Sequence, residues 1–137
     1  MDSIDNKEHC PFCEILNGTS QTRIILENDS SFFMEDAFPV STGHSLIIPK
    51  RHIASFFEAT NKEKQDIFAL LDAAKLVIER NYSPDGFNIG INDGPAAGQT
   101  VNHLHIHVIP RYAGDSDDPR GGVRWIFPEK ADYWSKK

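Results

Sequence analysis

A chain of 137 residues, 39% apolar and 25% charged, fits one folded domain and excludes a disordered segment. Its apolar runs are too short for a transmembrane helix, and the polar, acidic start from Met1 to Glu8 lacks the basic and apolar regions of a secretory signal, so a cytoplasmic location without a membrane partner is expected. A formal net charge of −6 excludes broad electrostatic binding of a nucleic-acid polymer, although a local set of donors can still hold a small anion.

In chain order, residues 10–17 predict a short helix, with Pro11 near its start and Gly18 just past its end. The same segment holds both cysteines, Cys10 and Cys13, in Cys-Pro-Phe-Cys. In a reducing compartment the pair points to a metal site or a redox pair rather than a structural disulfide. Residues 24–26 and 31–35 predict two short strands around a turn at Asn28-Asp29. Residues 43–50 contain the buried strand Leu46-Ile47-Ile48, stopped by Pro49. A long helix is expected over residues 61–80. Thr60 and Glu63 have capping-box spacing, and Ile67, Leu70, Leu71, Ala74, Val77 and Ile78 fall on one face. Residues 87–92 alternate as a strand, residues 93–98 form a Gly/Pro-rich loop, and residues 103–109 form a strand closed by Pro110. Residues 113–122 are Gly-, Asp- and Pro-rich and predict a mobile loop. The tail aromatics Trp125, Phe127, Tyr133 and Trp134 need a packing surface, for which a partner subunit is one candidate. Strands mixed with one long helix, without βαβ alternation, predict an α+β domain with an antiparallel sheet. Its core covers about 10–112 of a single domain spanning 1–137, and 113–137 form a C-terminal loop and tail.

The chemistry concentrates in His103-Leu104-His105-Ile106-His107, which holds half of the six histidines. On a strand, His103, His105 and His107 share one face, roughly 6.5–7 Å apart, and Leu104, Ile106 and Val108 anchor the other. Neutral imidazole serves as nucleophile, general acid/base or metal ligand. Three residues in line converge poorly on a tetrahedral ion, so distinct roles suit them better than one three-histidine metal centre. The preceding loop adds Gly94 and Gly98 for close backbone approach, and Asn92, Gln99 and Thr100 as hydrogen-bond donors.

His-Leu-His-Ile-His-Val-Ile resembles the signature of the histidine triad superfamily. The likeness extends to Cys-Pro-Phe-Cys-Glu-Ile, to Gly-His-Ser-Leu-Ile-Ile-Pro-Lys-Arg-His at 43–52, and to Asn92-Asp93-Gly94 through Arg111. Asp-Gly-Pro-Ala-Ala-Gly-Gln-Thr-Val at 93–101 resembles the fragile-histidine-triad branch of dinucleoside polyphosphate hydrolases. The resemblance implies a half-barrel antiparallel sheet with one long and one short helix, a homodimer, and two-step nucleotidyl transfer from an adenosine nucleotide. His105 would attack the α-phosphorus, His107 would stabilise the phosphate, and His44 would join the histidine network, with His103 the third member of the row. Gln99 and Thr100 would bind phosphate and leaving group, Asn92 phosphate or ribose, and Asp36 the ribose hydroxyls. Phe12, Ile15 and Met34 would build the base pocket. Plainer roles exist for the supporting residues: Asp36 as a turn cap, Phe12, Ile15 and Met34 as core, and Gln99 and Thr100 as loop fasteners.

Some histidine triad proteins, and the related galactose-1-phosphate uridylyltransferases, hold structural zinc with two such cysteines and two histidines. The matching positions here are Cys10, Cys13, His52 and His103, which would make His103 a zinc ligand; the phosphoryl chemistry itself needs no metal. A nucleotide-binding or scaffold module with little turnover and a metal-dependent hydrolase centred on the three histidines are the competing readings.

Overall fold

Five antiparallel strands form one open sheet in the order β1-β2-β3-β5-β4: β1 (Leu26–Glu27), β2 (Ser31–Glu35), β3 (Ser45–Pro49), β4 (Gly86–Gly90) and β5 (Ile106–Arg111). The computed structural model describes residues 10–20 and 22–135, so the expectation for residues 1–8 lies outside the described residues. No helix among the described residues is long and apolar enough to cross a membrane.

Alternation on the strands sorts the apolar residues onto two faces. Phe33, Ile47, Ile106 and Val108 pack with Ile67, Leu70, Ala74 and Ile78 of the 22-residue helix α2 (Asn61–Tyr82). Phe32, Met34, Leu46 and Ile48 face the other way and pack with Phe12 and Ile15 of α1 (Pro11–Leu16). The α1 face is also the histidine face, because His107 stands directly opposite Leu46 across the β3–β5 pair.

Helix α2 starts as its sequence predicts. Thr60 accepts the Glu63 N–H, and the Glu63 carboxylate accepts the Thr60 N–H. Arg51 forks onto the same carboxylate at 2.8 and 2.9 Å and holds it well below the usual range, at about 2. The helix runs two residues past the predicted end and stops at Ser83, in the left-handed conformation. Cys10 caps α1 by accepting the Cys13 N–H on its sulfur at 3.3 Å.

Other boundaries also differ from expectation, and β1 covers Leu26–Glu27 rather than residues 24–26. β4 ends at Gly90, short of Asn92. β5 starts at Ile106 rather than at residue 103, because the Leu104 N–H goes to the Ile53 carbonyl at 2.7 Å instead of to a strand partner. β5 also runs through Pro110. Beyond Val108 it has β4 alone as a neighbour, an edge position where a missing N–H is tolerated.

The tail folds on its own chain. A 3₁₀ segment (Gly122–Ile126) leads into α3 (Pro128–Ala131), neither foreseen, around the buried Ala131. Arg120 stacks on Trp134 and Arg124 on Tyr133, while Trp125, Phe127 and Tyr133 stay exposed. Within 113–122 the chain makes turns anchored by Arg111, whose guanidinium meets Asp115 through two N–H groups at 2.7 and 2.8 Å.

Candidate functional site

The predicted single row of three histidines is divided. His103 is fully buried and lies before the strand, with its ring packed against Phe12 at 5.6 Å on the same α1 face as His105. Its Nε2 lies 2.8 Å from the Pro49 carbonyl, which only accepts, so Nε2 carries the proton and Nδ1 keeps a lone pair. That Nδ1 is 3.3 Å from the Cys10 sulfur, 3.6 Å from the Cys13 sulfur and 3.1 Å from Nδ1 of His52. His52 Nδ1 is in turn 3.3 Å from the Cys13 sulfur. One donor atom from each of the four residues lies within 4.8 Å of all the others, a Cys₂His₂ set that can hold a metal ion. Burial holds the His103 imidazole neutral, with its pKa pushed down to about 4.

His105 and His107 are set in opposite tautomers by their surroundings. His105 Nδ1 is 2.8 Å from the carbonyl oxygen of His103, so Nδ1–H donates and Nε2 bears the lone pair. The Phe12 ring packs against this imidazole, centroids 5.2 Å apart. His107 is reached through His44. The Val40 N–H donates to His44 Nδ1 at 3.0 Å, which leaves the proton of neutral His44 on Nε2. His44 Nε2 lies 3.0 Å from His107 Nδ1, so His44 donates and His107 carries its own proton on Nε2. Burial lowers the pKa of His44 despite the opposing pull of Asp36. The pKa of His107 is lowered by burial and then by the neighbouring charges of His105 and His44. Adjacent rings, with centroids 5.1 Å apart, therefore offer one lone pair and one N–H.

The supporting residues are placed as follows. Asp36 accepts the Phe38 N–H at 2.8 Å and turns its other oxygen to His44 Nε2 at 3.4 Å, so it caps a turn and faces the histidine pair. Gln99 uses both ends of its amide on the chain. Its oxygen accepts the Gly94 N–H, and its nitrogen donates to the Ala54 and Val101 carbonyls. The loop turns at Gly94 and Gly98, both at positive φ. Thr100 and Asn92 are exposed, and Asn92 borders a cavity shared with His44 and His107. Phe12, Ile15 and Met34 are buried together beneath the histidine face.

Sequence reasoning missed Asp93, which accepts the Ser55 hydroxyl and the Phe56 N–H and ties the loop to the 3₁₀ segment Phe56–Glu58. It also missed the Pro49 carbonyl and the Val40 N–H. Backbone groups carry no residue-type signal, although Asp93 lay inside the quoted motif.

The HIT domain family model matches residues 17–114. The chain is 39% identical over 103 residues to an uncharacterized HIT-like protein of Mycoplasma genitalium, covering 75% of this chain and 73% of that protein. It is 36% identical over 98 residues to a bis(5'-adenosyl)-triphosphatase of Dictyostelium discoideum, covering 72% of this chain and 66% of that enzyme. A solved zinc-bound histidine triad family protein from Mycobacterium smegmatis matches with a TM-score of 0.74 at 34% identity, covering 81% of each chain.

Proposed function

Because this chain belongs to the HIT domain family, we propose that it is a hydrolase or transferase acting on the α-phosphorus of adenosine nucleotides through a covalent nucleotidyl-histidine. The observation that carries this reading is the opposed pair of tautomers, a lone pair on His105 Nε2 beside an N–H on His107 Nε2. His105 Nε2 attacks phosphorus and the bond to the leaving group breaks. The leaving atom takes the electron pair and then a proton from solvent. Water next attacks the same phosphorus and gives up a proton to solvent, the N–P bond breaks with its electron pair returning to His105 Nε2, and the nucleoside monophosphate departs. His107 donates to a non-bridging phosphoryl oxygen and stabilises the charge that builds there. His44 holds that donor in its tautomer. Asn92, which borders the cavity with His44 and His107, and Thr100, exposed in the loop before the histidines, contact phosphate or leaving group, and Gln99 shapes that loop. Asp36 meets the ribose. Phe12, Ile15 and Met34 form the floor under the base.

Zinc fits the second centre. A tetrahedral ion with Zn–N of about 2.0–2.1 Å and Zn–S of about 2.3 Å has donor–donor edges of roughly 3.3–3.8 Å; four of the donor separations here run from 3.1 to 3.6 Å, and all lie within 4.8 Å. His103 already directs a lone pair at the thiols with its far N–H on the Pro49 carbonyl, the arrangement that orients metal-binding imidazoles. Cys10, Cys13, His52 and His103 would hold zinc as a structural cross-link between α1 and the segment leading into β5. Bound zinc would supply rigidity there, and none of its four ligands is assigned to the phosphoryl steps. The edge strand β4 and the exposed tail aromatics suit pairing with a second copy, a homodimer, and the thiol pair suits the reducing cytoplasm.

The test is acid quenching of the enzyme during turnover of adenosine 5'-phosphoramidate, followed by mass analysis. A nucleotidyl adduct on His105, absent in His105→Asn while nucleotide still binds, is expected. Turnover retained in His105→Asn rejects the nucleophile. Nucleotide binding with no adduct on any adenosine substrate makes the chain a binding module.

A further inference from the structure

His44 lies one residue outside the strand ladders that would otherwise fix it. The β2–β3 ladder ends at Glu35 opposite Ser45, and the β3–β5 ladder begins at Ser45 opposite Val108. Yet the His44 Nε2–H must meet His107 Nδ1 at 3.0 Å, a bond that a shift of about 1 Å in the turn would break. The turn over residues 36–44 closes on itself through the Asp36 N–H on the His44 carbonyl at 2.9 Å and the His44 N–H on the Ser41 carbonyl at 3.1 Å. Bonds inside a turn do not set where the turn sits.

Side chains from two directions do. On the β5 side, Ser41 Oγ donates to the Pro110 carbonyl at 2.7 Å, and the hydroxyl of Tyr112, just past the strand, donates to the Thr42 carbonyl at 2.6 Å. On the other side stands Tyr82, the last residue of α2, which engages both ends of the turn. Its hydroxyl donates to a Glu35 carboxylate oxygen at 2.6 Å. Glu35 immediately precedes Asp36, whose own carboxylate faces His44 Nε2 at 3.4 Å. The Tyr82 ring packs against Gly43, immediately before His44, so closely that an added Cβ would lie 2.8 and 3.1 Å from two ring carbons. The short bond to an ionised acceptor is of the strong, charge-assisted kind. That bond, then burial, raises the Tyr82 pKa, which keeps the hydroxyl a donor. A cavity of about 460 Å³ borders Tyr82, Glu35 and Ser45 on the α2 face of the sheet. A ring released from Glu35 therefore has room to leave Gly43, and the turn then loses its support on that side. The pathway above uses neither Tyr82 nor Glu35.

We propose that Tyr82 is a positioning residue of the reaction: with its ring on Gly43 and its hydroxyl on Glu35, it holds the turn that aims the His44 N–H at His107. The proposal rests on the reading of His107 as the phosphoryl donor, and its test separates the two.

Turnover of adenosine 5'-phosphoramidate is compared in wild type, Tyr82→Phe and Tyr82→Leu, each also in the His44→Leu background. Tyr82→Leu is expected to lower kcat about tenfold with KM within about twofold, inside the roughly 10²-fold that a misplacement of about 1 Å can cost. Tyr82→Phe, which keeps the ring, loses about threefold. Glu35→Gln, which keeps an acceptor for the hydroxyl, costs less than Glu35→Leu. In the His44→Leu background neither Tyr82 variant lowers kcat further, because the group it positions is gone. Nitrogen NMR of the histidine rings gives a readout that needs no turnover. Wild-type His107 shows a protonated Nε2 and a bare Nδ1, and in Tyr82→Leu the two resonances move toward each other as the tautomers mix. That movement upholds the positioning role even where no nucleotidyl adduct forms, and then the nucleophile alone fails. Should Tyr82→Leu not fold, Tyr82→Phe carries the same comparisons. Equal losses of kcat with and without His44 reveal a general loosening and overturn the proposal. So do His107 resonances that Tyr82→Leu leaves in place, or a Tyr82→Leu enzyme as fast as wild type.

Discussion

The backbone carbonyl of His103 accepts the Nδ1 proton of His105 at 2.8 Å, while the imidazole of His103 itself points its lone pair at the Cys10 sulfur 3.3 Å away. One residue thus serves two centres. Its side chain belongs to the thiol-imidazole cluster, and its main chain sets which nitrogen of His105 is available for attack. Phe12, between the two cysteines, touches both rings.

That double engagement makes the cluster a stability element. Elemental analysis of the purified protein is expected to find zinc near one ion per chain, and Cys10→Ser is expected to lose most of it. Chelation lowers the wild-type melting temperature by about 5 °C or more and changes the Cys10→Ser melt little. Equal, negligible zinc in both proteins rejects the site.

His44 acts through His107. His44→Leu removes the N–H that fixes the His107 tautomer, and kcat is expected to fall by about 10²-fold with KM little changed. His44→Gln, which keeps an N–H donor, recovers part of the loss. Equal activity of the leucine and glutamine variants shows that the hydrogen bond does not matter.

Stability of the metal-free protein depends on pH with a definite sign. His44, His103 and His107 are all held below the ordinary imidazole value of 6.5, and His103 is near 4. Above pH 6.5 both folded and unfolded chains carry these rings neutral. Below it the unfolded chain takes up protons that the folded chain refuses, so stability falls as the pH drops from 6.5 toward 4. Denaturant midpoints measured at pH 7.5, 6.0 and 5.0 should decrease in that order. A flat series contradicts the burial of neutral histidines.

Gly43 positions the turn that delivers His44. Its φ is +88°, and an added Cβ would lie 2.8 Å from the Tyr82 ring. Gly43→Ala is expected to destabilise the fold by roughly 1–3 kcal/mol through backbone strain and this clash. Urea unfolding checks it, and an unchanged midpoint shows that the loop and Tyr82 relax freely.

Much of the fold is legible in the residues. Thr60 and Glu63 announce the start of α2, and the apolar positions from Ile67 to Ile78 announce its buried face. The alternation of Phe32, Phe33 and Met34 places β2 between two layers. The Cys₂His₂ grouping followed from a resemblance, and its four side chains do converge. The alternation of the histidine segment holds, with Leu104, Ile106 and Val108 in one layer and Phe12 against His103 and His105 on the other, but the chain at 103–105 lies outside β5 because the Leu104 N–H goes to Ile53. The tail was legible only as aromatic. Its own stacking of Arg120 on Trp134 and Arg124 on Tyr133 depends on arginines with no pattern of their own.

By itself the sequence determined the class of the fold, the caps and faces of its elements, and the small set of histidines, thiols and loop donors in which any chemistry must lie. These follow from local periodicity and from residue types that few other chemistries need. Tertiary structure alone decided which nitrogen each histidine offers. That choice is made by a carbonyl at Pro49, a carbonyl at His103 and an amide at Val40. Two of these groups come from segments far along the chain, and a main-chain group looks the same in every sequence. The histidine row, divided in the sequence only by resemblance, offers a lone pair at His105 and an N–H at His107 once the sheet brings those groups to it.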